Sequence, residues 1–562
     1  MSARAVDLVL LWHMHQPDYR DRASGAYAMP WVLLHALKDY TDMAWHLERR
    51  EVRATVNFAP VLLDQIEDYA GQLASGRLCD PLLRLLARAP GRALSEGERR
   101  YALEQCFHAN AETMVRPFPA YRRLEEMHRA ALAQAADGLA WLSEQYFDDL
   151  VTWYHLAWTG ETVRRESEPV ARLMAKGTGF TYEDRRALLE EIARLVAGIV
   201  PRWRALAQSG RIELSTTLHT HPIGPLLVDF GAAREASPEA PLPEHERYPG
   251  GVERARAQLE SALASHRARF GSEPAGLWPA EGAISAAFLR LASRRGIRWV
   301  ASGEGVLARS LAAGADYSRA RDLYRPWRVD GIEPVVFFRD DRLSDLIGFE
   351  YRRWHGRDAA AHLVGEIERI GTQAPADSVP VVAVILDGEN PWEHYPYNGF
   401  YFLCALYEAL EKHPSIRTRT PAEVLARSDA TAPAQLATLK AGSWVHGTLL
   451  TWIGTPAKNR AWDLLCEAKR AYDLVLAGAR LDEPAREAAR AQLADCESSD
   501  WFWWFEDGSA NPAVAAFDRL FRTKLANLYR LLGLPVPARL AEPVCTPGER
   551  TDGAAAMRRS GG

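Results

Sequence analysis

The chain is poor in the features that mark several large functional classes. Only six of its 562 residues are cysteine (Cys79, Cys106, Cys404, Cys466, Cys496 and Cys545). They stand singly, with no C-x-x-C pair, so the pattern excludes a tight disulfide framework and fits reduced thiols. No apolar run approaches the roughly 18 to 20 residues of a membrane span. There is no surplus of positive charge: 68 Lys and Arg face 73 Asp and Glu, for a net charge of -5. Nucleic acid and anionic membrane surfaces both need a concentrated basic patch, so neither is expected as a partner. A Gly-rich phosphate loop and a G-x-S-x-G nucleophile elbow are also missing. The start of the chain runs directly into Leu8–Trp12 without the apolar region and cleavage site of a signal peptide, which predicts a cytoplasmic protein.

What is present is 48% hydrophobic residues and 18 tryptophans. Seven short runs rich in Val, Ile and aromatics alternate with long amphipathic stretches: Val6–Trp12, Val52–Phe58, Arg211–Thr216, Ala275–Trp278, Ile297–Ala301, Pro334–Phe338 and Val381–Leu386. Continuously apolar strands separated by helices predict a parallel sheet covered on both faces, most simply an α/β barrel. Residues 1–400 would form it. The interval of about 60–208 is too long for one crossover and carries helical patterns, among them Leu82–Ala89, Ser95–Asn110, Tyr121–Phe147 and Glu183–Gln208, so it reads as a helical insertion. From about Tyr401 the strands stop, and 401–540 reads as a C-terminal helical subdomain that completes the cleft. The last stretch, 541–562, lacks periodicity and reads as a disordered tail.

Reactive groups of such barrels lie where strands give way to loops at their C-terminal ends, and five polar clusters fall there. His13-Met14-His15-Gln16-Pro17 puts two imidazoles on one side of an extended backbone. Glu213 lies inside an apolar strand, where an acid must be paired or hydrogen-bonded, and His219 and His221 follow it. Trp278-Pro279-Ala280-Glu281-Gly282 ends a strand on a carboxylate. The run Val381–Leu386 bursts into Asp387-Gly388-Glu389-Asn390-Pro391-Trp392-Glu393, and crowded carboxylates raise the pKa of one of their number, as an acid catalyst at neutral pH requires. In Ser499-Asp500-Trp501-Phe502-Trp503-Trp504-Phe505 five consecutive aromatics circle a helix, so they cannot all point into a core. Two chemistries suit this inventory. Paired carboxylates with tryptophan platforms fit glycoside hydrolysis, whereas His13, His15, His219 or His221 with Asp387 fit metal-assisted hydrolysis. The tryptophans divide accordingly: Trp278, Trp392 and Trp501–Trp504 fall in acid-bearing segments, while Trp45 and Trp141 read as packing.

Taken in order, the five clusters resemble the five conserved regions of glycoside hydrolase family 57. The resemblance implies an incomplete seven-stranded (β/α) barrel and a retaining enzyme acting on α-glucan or maltooligosaccharide, with no cofactor and no catalytic metal. By motif position it makes Glu281 the nucleophile and Asp387 the general acid/base, with carboxyl groups roughly 5 to 5.5 Å apart. His13, His15, Gln16, Glu213, His221, Trp278, Glu389, Asp500 and Trp503 would bind the sugar. The motif wording is most similar to the amylopullulanase and α-amylase branch; 4-α-glucanotransferases and branching enzymes are the alternatives. Three places depart from the pattern. Gly303 stands where this group commonly has aspartate, Asp341 replaces an expected histidine, and the segment after Trp504 lacks the usual Gly and His.

Overall fold

The computed structural model describes residues 4–134, 138–311, 317–375, 378–427, 432–478, 480–546 and 548. All seven expected strands form: β1 (Val6–Met14), β2 (Ala54–Phe58), β3 (Ile212–Thr216), β4 (Gly276–Leu277), β5 (Trp299–Gly303), β6 (Val335–Arg339) and β7 (Val381–Asp387). They pair in parallel in the order β6-β5-β4-β3-β2-β1-β7, and β6 meets β7 to close the ring. The closure is thin, a single register pair Arg339↔Ala383 with Asp340 N donating to Ala383 O at 2.8 Å. The barrel is therefore short of one strand but not open.

Alternation along the strands sorts the hydrophobic side chains into two separate cores. Val9, Leu11, Trp299, Ala301, Val335, Phe337, Ala383 and Ile385 pack inside the barrel, where Val424 joins them. Leu8, Leu10, Trp12, Val300, Val336, Val382, Val384 and Leu386 point outward under the helices. The strands are continuously apolar because both faces are buried.

The stretch after β2 is helical, from Pro60–Ser75 to Tyr182–Gln208. The expected single helix over Tyr121–Phe147 is two, Pro119–Gln134 and Glu144–Ala157. The second has its own start signal, Ser143, whose hydroxyl accepts from Tyr146 N at 3.2 Å. Strands do not stop at Tyr401: Ile416–Thr418 adds to β1, and Ala434–Leu436 pairs with Trp327–Val329, which lies antiparallel to β6. Three-residue strands carry too little alternation to be recognised in sequence. Beyond them run helices Pro456–Ala477, Glu483–Cys496, Ser499–Trp504 and Pro512–Leu531. Within the stretch read as a disordered tail, Val544 and Cys545 are buried and Asp518 accepts from Cys545 N at 2.9 Å; 547 and 549–562 lie outside the described residues. The six cysteines are all unpaired. Among the described residues no helix is long and apolar enough to cross a membrane.

Candidate active site

Towards the C-terminal end of the strands the barrel interior becomes polar over two layers. Leu11, Ile385, Thr55 and Glu213 stand in register across β1, β7, β2 and β3. Two residues on, the layer is His13, Asp387, Asn57 and Ser215, all on the same inward face by strand parity. Glu213 therefore belongs to the layer beneath the mouth. Its carboxylate accepts from Trp299 Nε1 at 2.7 Å and Ala422 N at 3.1 Å, and burial raises its pKa. Expected among the sugar-binding residues, Glu213 thus lies one layer beneath His13 and Asp387, with its carboxylate bonded to groups of the barrel interior.

Three buried imidazoles stack at the rim. The His15 and His221 rings are 3.7 Å apart and nearly parallel, with His13 4.9 Å from His221. Burial and neighbouring imidazoles lower His13 to about 3 and drive His221 well below its ordinary value, so both are neutral. Their hydrogen bonds then fix the tautomers. His13 Nδ1 donates to Asn57 Oδ1 (2.8 Å), since the Asn57 amide nitrogen is committed to Ser215 Oγ and Thr216 O. His13 Nε2 must accept from His221 Nε2 (3.0 Å), and His221 Nδ1 accepts from Ser499 Oγ (2.9 Å). The left-handed φ of His221, 62°, is held from the same side, as its carbonyl accepts from Ser499 N. His15 Nε2 donates to Asp500 Oδ2 at 2.9 Å. Ser499 and Asp500 both open the short helix Ser499–Trp504, so the C-terminal helices supply one wall of the mouth.

The acids face the same space. Glu281 sits at φ 58°, ψ 25°, in a turn whose carbonyl accepts from Trp444 N at 3.1 Å. Its carboxylate accepts from Trp444 Nε1 at 2.9 Å. Desolvation and then the charge of Asp387 push Glu281 up to about 8, against which the indole N–H works. Asp387, the last residue of β7, is also raised by desolvation, with Asn390 donating to Oδ2 at 2.9 Å. Glu389 is buried behind them. Its Oε1 accepts from His15 N (3.1 Å) and Gln16 Nε2 (3.3 Å), bracing the His13–Gln16 turn, and desolvation drives its pKa well up. Trp278 lies fully buried beside His13 and edge-on to Trp444, 5.2 Å away.

The structure thus brings together His13, His15, Gln16, His221, Trp278, Glu281, Asp387, Glu389 and Asp500. His219 is elsewhere, between Asp64 and Ser261. Trp503 is half-buried against Trp452, while Trp392 and Trp501 are core and Trp141 is 73% exposed, so the division of tryptophans by neighbouring acids is corrected at those three. Sequence reasoning missed Asn57, Arg339, Trp444 and Ser499. Asn57 was signalled by being a polar residue inside an apolar strand. Trp444 stands in a loop without an acid, and its only signal lay at Gly303: a Cβ there would come 2.5 Å from Trp444 Cα. Arg339 spreads its guanidinium 5.2 Å from the Trp444 ring and bonds Asp341 (2.7 Å) and Asp345 (2.9 Å). Two of the unusual places, Gly303 and Asp341, therefore share one consequence, the seating of Trp444 on Glu281. His15, His221 and Asp500 each offer a ligand atom within 4.8 Å of the others and could hold a cation.

The family model for glycosyl hydrolase family 57 matches residues 9–437. Solved structures with the same fold include a branching enzyme of that family from Thermococcus kodakaraensis, at 16% identity over 96% of this chain and 93% of that one, TM-score 0.58. An α-amylase from Thermotoga maritima is similar at 14% identity over 96% and 94%, TM-score 0.53. A 4-α-glucanotransferase from Thermococcus litoralis matches at 14% identity over 94% of this chain and 60% of that one, TM-score 0.51.

Proposed function

Because the chain belongs to glycosyl hydrolase family 57, we propose that it cleaves α-linked glucan with retention, Glu281 acting as nucleophile and Asp387 as general acid/base. The observation that carries the reading is the shared, desolvated mouth in which the Asp387 charge raises Glu281. Desolvation and the neighbouring charge favour a proton on one of the two carboxyls, and retaining glycoside hydrolysis needs one ionised and one protonated partner. Asp387 gives its proton to the leaving glycosidic oxygen while a Glu281 oxygen bonds the anomeric carbon. The resulting glycosyl ester is then opened by water, or by a sugar hydroxyl, whose proton returns to Asp387. Burial favours the proton on Glu281; the Trp444 N–H bond to Oε2 opposes this and favours the anion that attacks. His15 with Asp500, and Gln16, supply the polar groups that would orient the sugar, neutral His13 and His221 brace them from behind with their ring nitrogens bonded to Asn57, Ser499 and each other, and Trp444 supplies apolar surface backed by the buried Trp278.

Glu281→Gln keeps the shape of the mouth and removes the nucleophile. Turnover of maltooligosaccharides should vanish while glucan binding persists; turnover at the wild-type rate would overturn the assignment. Hydrolysis and transfer use the same two acids and differ in the acceptor. An α-amylase or amylopullulanase leaves shorter chains, a glucanotransferase or branching enzyme longer or branched ones, and product analysis separates them. A cytoplasmic site of action is part of the reading, supported by six unpaired thiols.

A metal-dependent hydrolase is the second reading, favoured by the His15, His221 and Asp500 cluster. Activity abolished by a chelator and restored by one divalent ion would establish it; activity indifferent to chelation leaves the carboxylate pair.

A further inference from the structure

Ten residues beyond Asp387 the chain makes a turn that packing does not explain. Tyr397 (φ 55°), Asn398 (φ 52°) and Gly399 (φ 71°) are left-handed in succession. For Tyr397 this costs about 1 to 2 kcal/mol, whereas asparagine and glycine tolerate the conformation. Gly399 has its reason, since a Cβ would come 2.7 Å from the Trp392 ring. Asn398 is bolted down, its amide donating to Asp42 Oδ2 (2.9 Å) and its carbonyl accepting from Lys38 Nζ (3.0 Å), both buried. Tyr397 gains nothing of that kind. It is 55% exposed, and Tyr401, 46% exposed, stands perpendicular to it at 5.3 Å. Trp354, 44% exposed, lies two residues before Gly356, which packs against the backbone of Tyr401 and Phe402. Two exposed tyrosines thus meet at the start of the helix Phe400–Glu411, and the loop that carries Trp354, whose ring rests on Tyr351 and His362, adjoins them. The surface behind them is stiff: Phe400 packs on Trp45, Arg165 lies 4.2 Å from the Phe400 ring, and Arg165 also donates to the Tyr401 hydroxyl at 3.2 Å.

We propose that Tyr397, Tyr401 and the adjoining Trp354 loop form a second glucan-binding platform, separate from the catalytic mouth, that holds a remote stretch of the polymeric substrate. Backbone strain that serves exposure rather than burial points to an external ligand. Rigid aromatic faces with hydroxyl and guanidinium groups at their edge suit a ligand that is apolar on its ring faces and polar at its rim. A few rings fall well short of the roughly 800 Å² per partner of a stable protein interface, which disfavours a protein occupant. The occupant's identity rests on the α-glucan reading proposed above, and the platform serves a long chain, one part gripped while another enters the mouth.

Tyr397→Asn tests this without disturbing the turn, because asparagine tolerates the left-handed conformation. Loss of one aromatic contact should raise KM for soluble starch or glycogen about fivefold and weaken retardation in a glucan-containing native gel. Turnover of maltoheptaose, too short to span both places, should stay at the wild-type value. Trp354→Ala, outside the strained turn, should act in the same direction. Unchanged KM and retardation for the polymer would overturn the proposal, as would a parallel loss on maltoheptaose, which would put Tyr397 in the catalytic cleft. Self-association abolished by Tyr397→Asn with glucan affinity intact would reassign the surface to a protein contact and overturn it too. If wild-type protein is retarded by glucan yet turns over no maltooligosaccharide, the catalytic reading fails and the platform stands.

Discussion

Glu281 and Asp387 present two carboxyl groups to one desolvated space, and both are held above their ordinary pKa. In the proposed mechanism the working state has a single proton on the pair, so kcat/KM should follow a bell-shaped pH curve whose limbs belong to the pair rather than to either residue. Trp444→Phe keeps the ring and removes the donor to Glu281. Losing a hydrogen bond to a charged group costs about 1.5 to 3 kcal/mol, roughly a ten- to hundredfold fall in rate. The same loss makes Glu281 harder to ionise, so the acidic limb should move to higher pH; a profile that keeps its position would show that the indole does not act through Glu281. Stability carries the same signature. The folded protein holds the Glu281 proton up to about pH 8, whereas the unfolded chain releases it near 4.5. Between those values the folded state binds more protons, and stability falls as pH rises. Glu281→Gln escapes this, so its Tm advantage over wild type should grow from about pH 5 to about pH 8 in calorimetric scans. A constant difference would mean Glu281 ionises in the folded protein as freely as in the unfolded chain.

Among elements, the loop 442–448 does most to complete the mouth, and glycines admit it. Gly442 exchanges two backbone bonds with Ile284, Gly303 abuts Trp444 Cα, and Gly305 abuts Gly447. Gly303→Asp, which installs the residue common in the resembling group, should displace Trp444 and reduce activity rather than improve it. Crystallography or a change in tryptophan fluorescence would register the movement; a fully active Gly303→Asp protein would mean the loop has room the packing denies it. The helix Ser499–Trp504 is anchored just upstream. Glu497, fully buried, accepts from Arg254 Nε (2.6 Å) and Nη2 (2.9 Å), Tyr248 Oη (2.7 Å) and Gln258 Nε2 (2.8 Å). Glu497→Gln leaves the Arg254 charge buried without its partner, and breaking such a pair costs about 3 to 5 kcal/mol. Urea unfolding should show that loss, and activity should fall as Ser499 and Asp500 lose their footing; an unchanged midpoint would contradict it.

Across the whole molecule, the order of strands was legible because each barrel strand is apolar on both faces and bounded by turn residues. The site was legible where a chemical group interrupts such a strand or follows its end, as at His13, Glu281 and Asp387. It was not legible where position depends on tertiary approach. Glu213 shares the inward face of His13 but lies one layer beneath it, a distinction of two residues along β3 that only the register with β1 and β2 decides. Trp444 comes from a loop more than 160 residues beyond Glu281, admitted by the absence of a side chain at Gly303. The tryptophans divide by depth rather than by neighbouring acids, since Trp392 and Trp501 are core and Trp141 is solvent-facing. A barrel whose last wall comes from helices far along the chain needs both parts to act. The central claim is that Glu281 becomes covalently glycosylated during turnover. Incubation with an activated fluoroglycoside of α-glucose, then acid quenching and peptide mass spectrometry, reads this directly: the account predicts one glycosyl adduct on the peptide containing Glu281, and an adduct on any other carboxylate, or turnover of the reagent with none on that peptide, would contradict it.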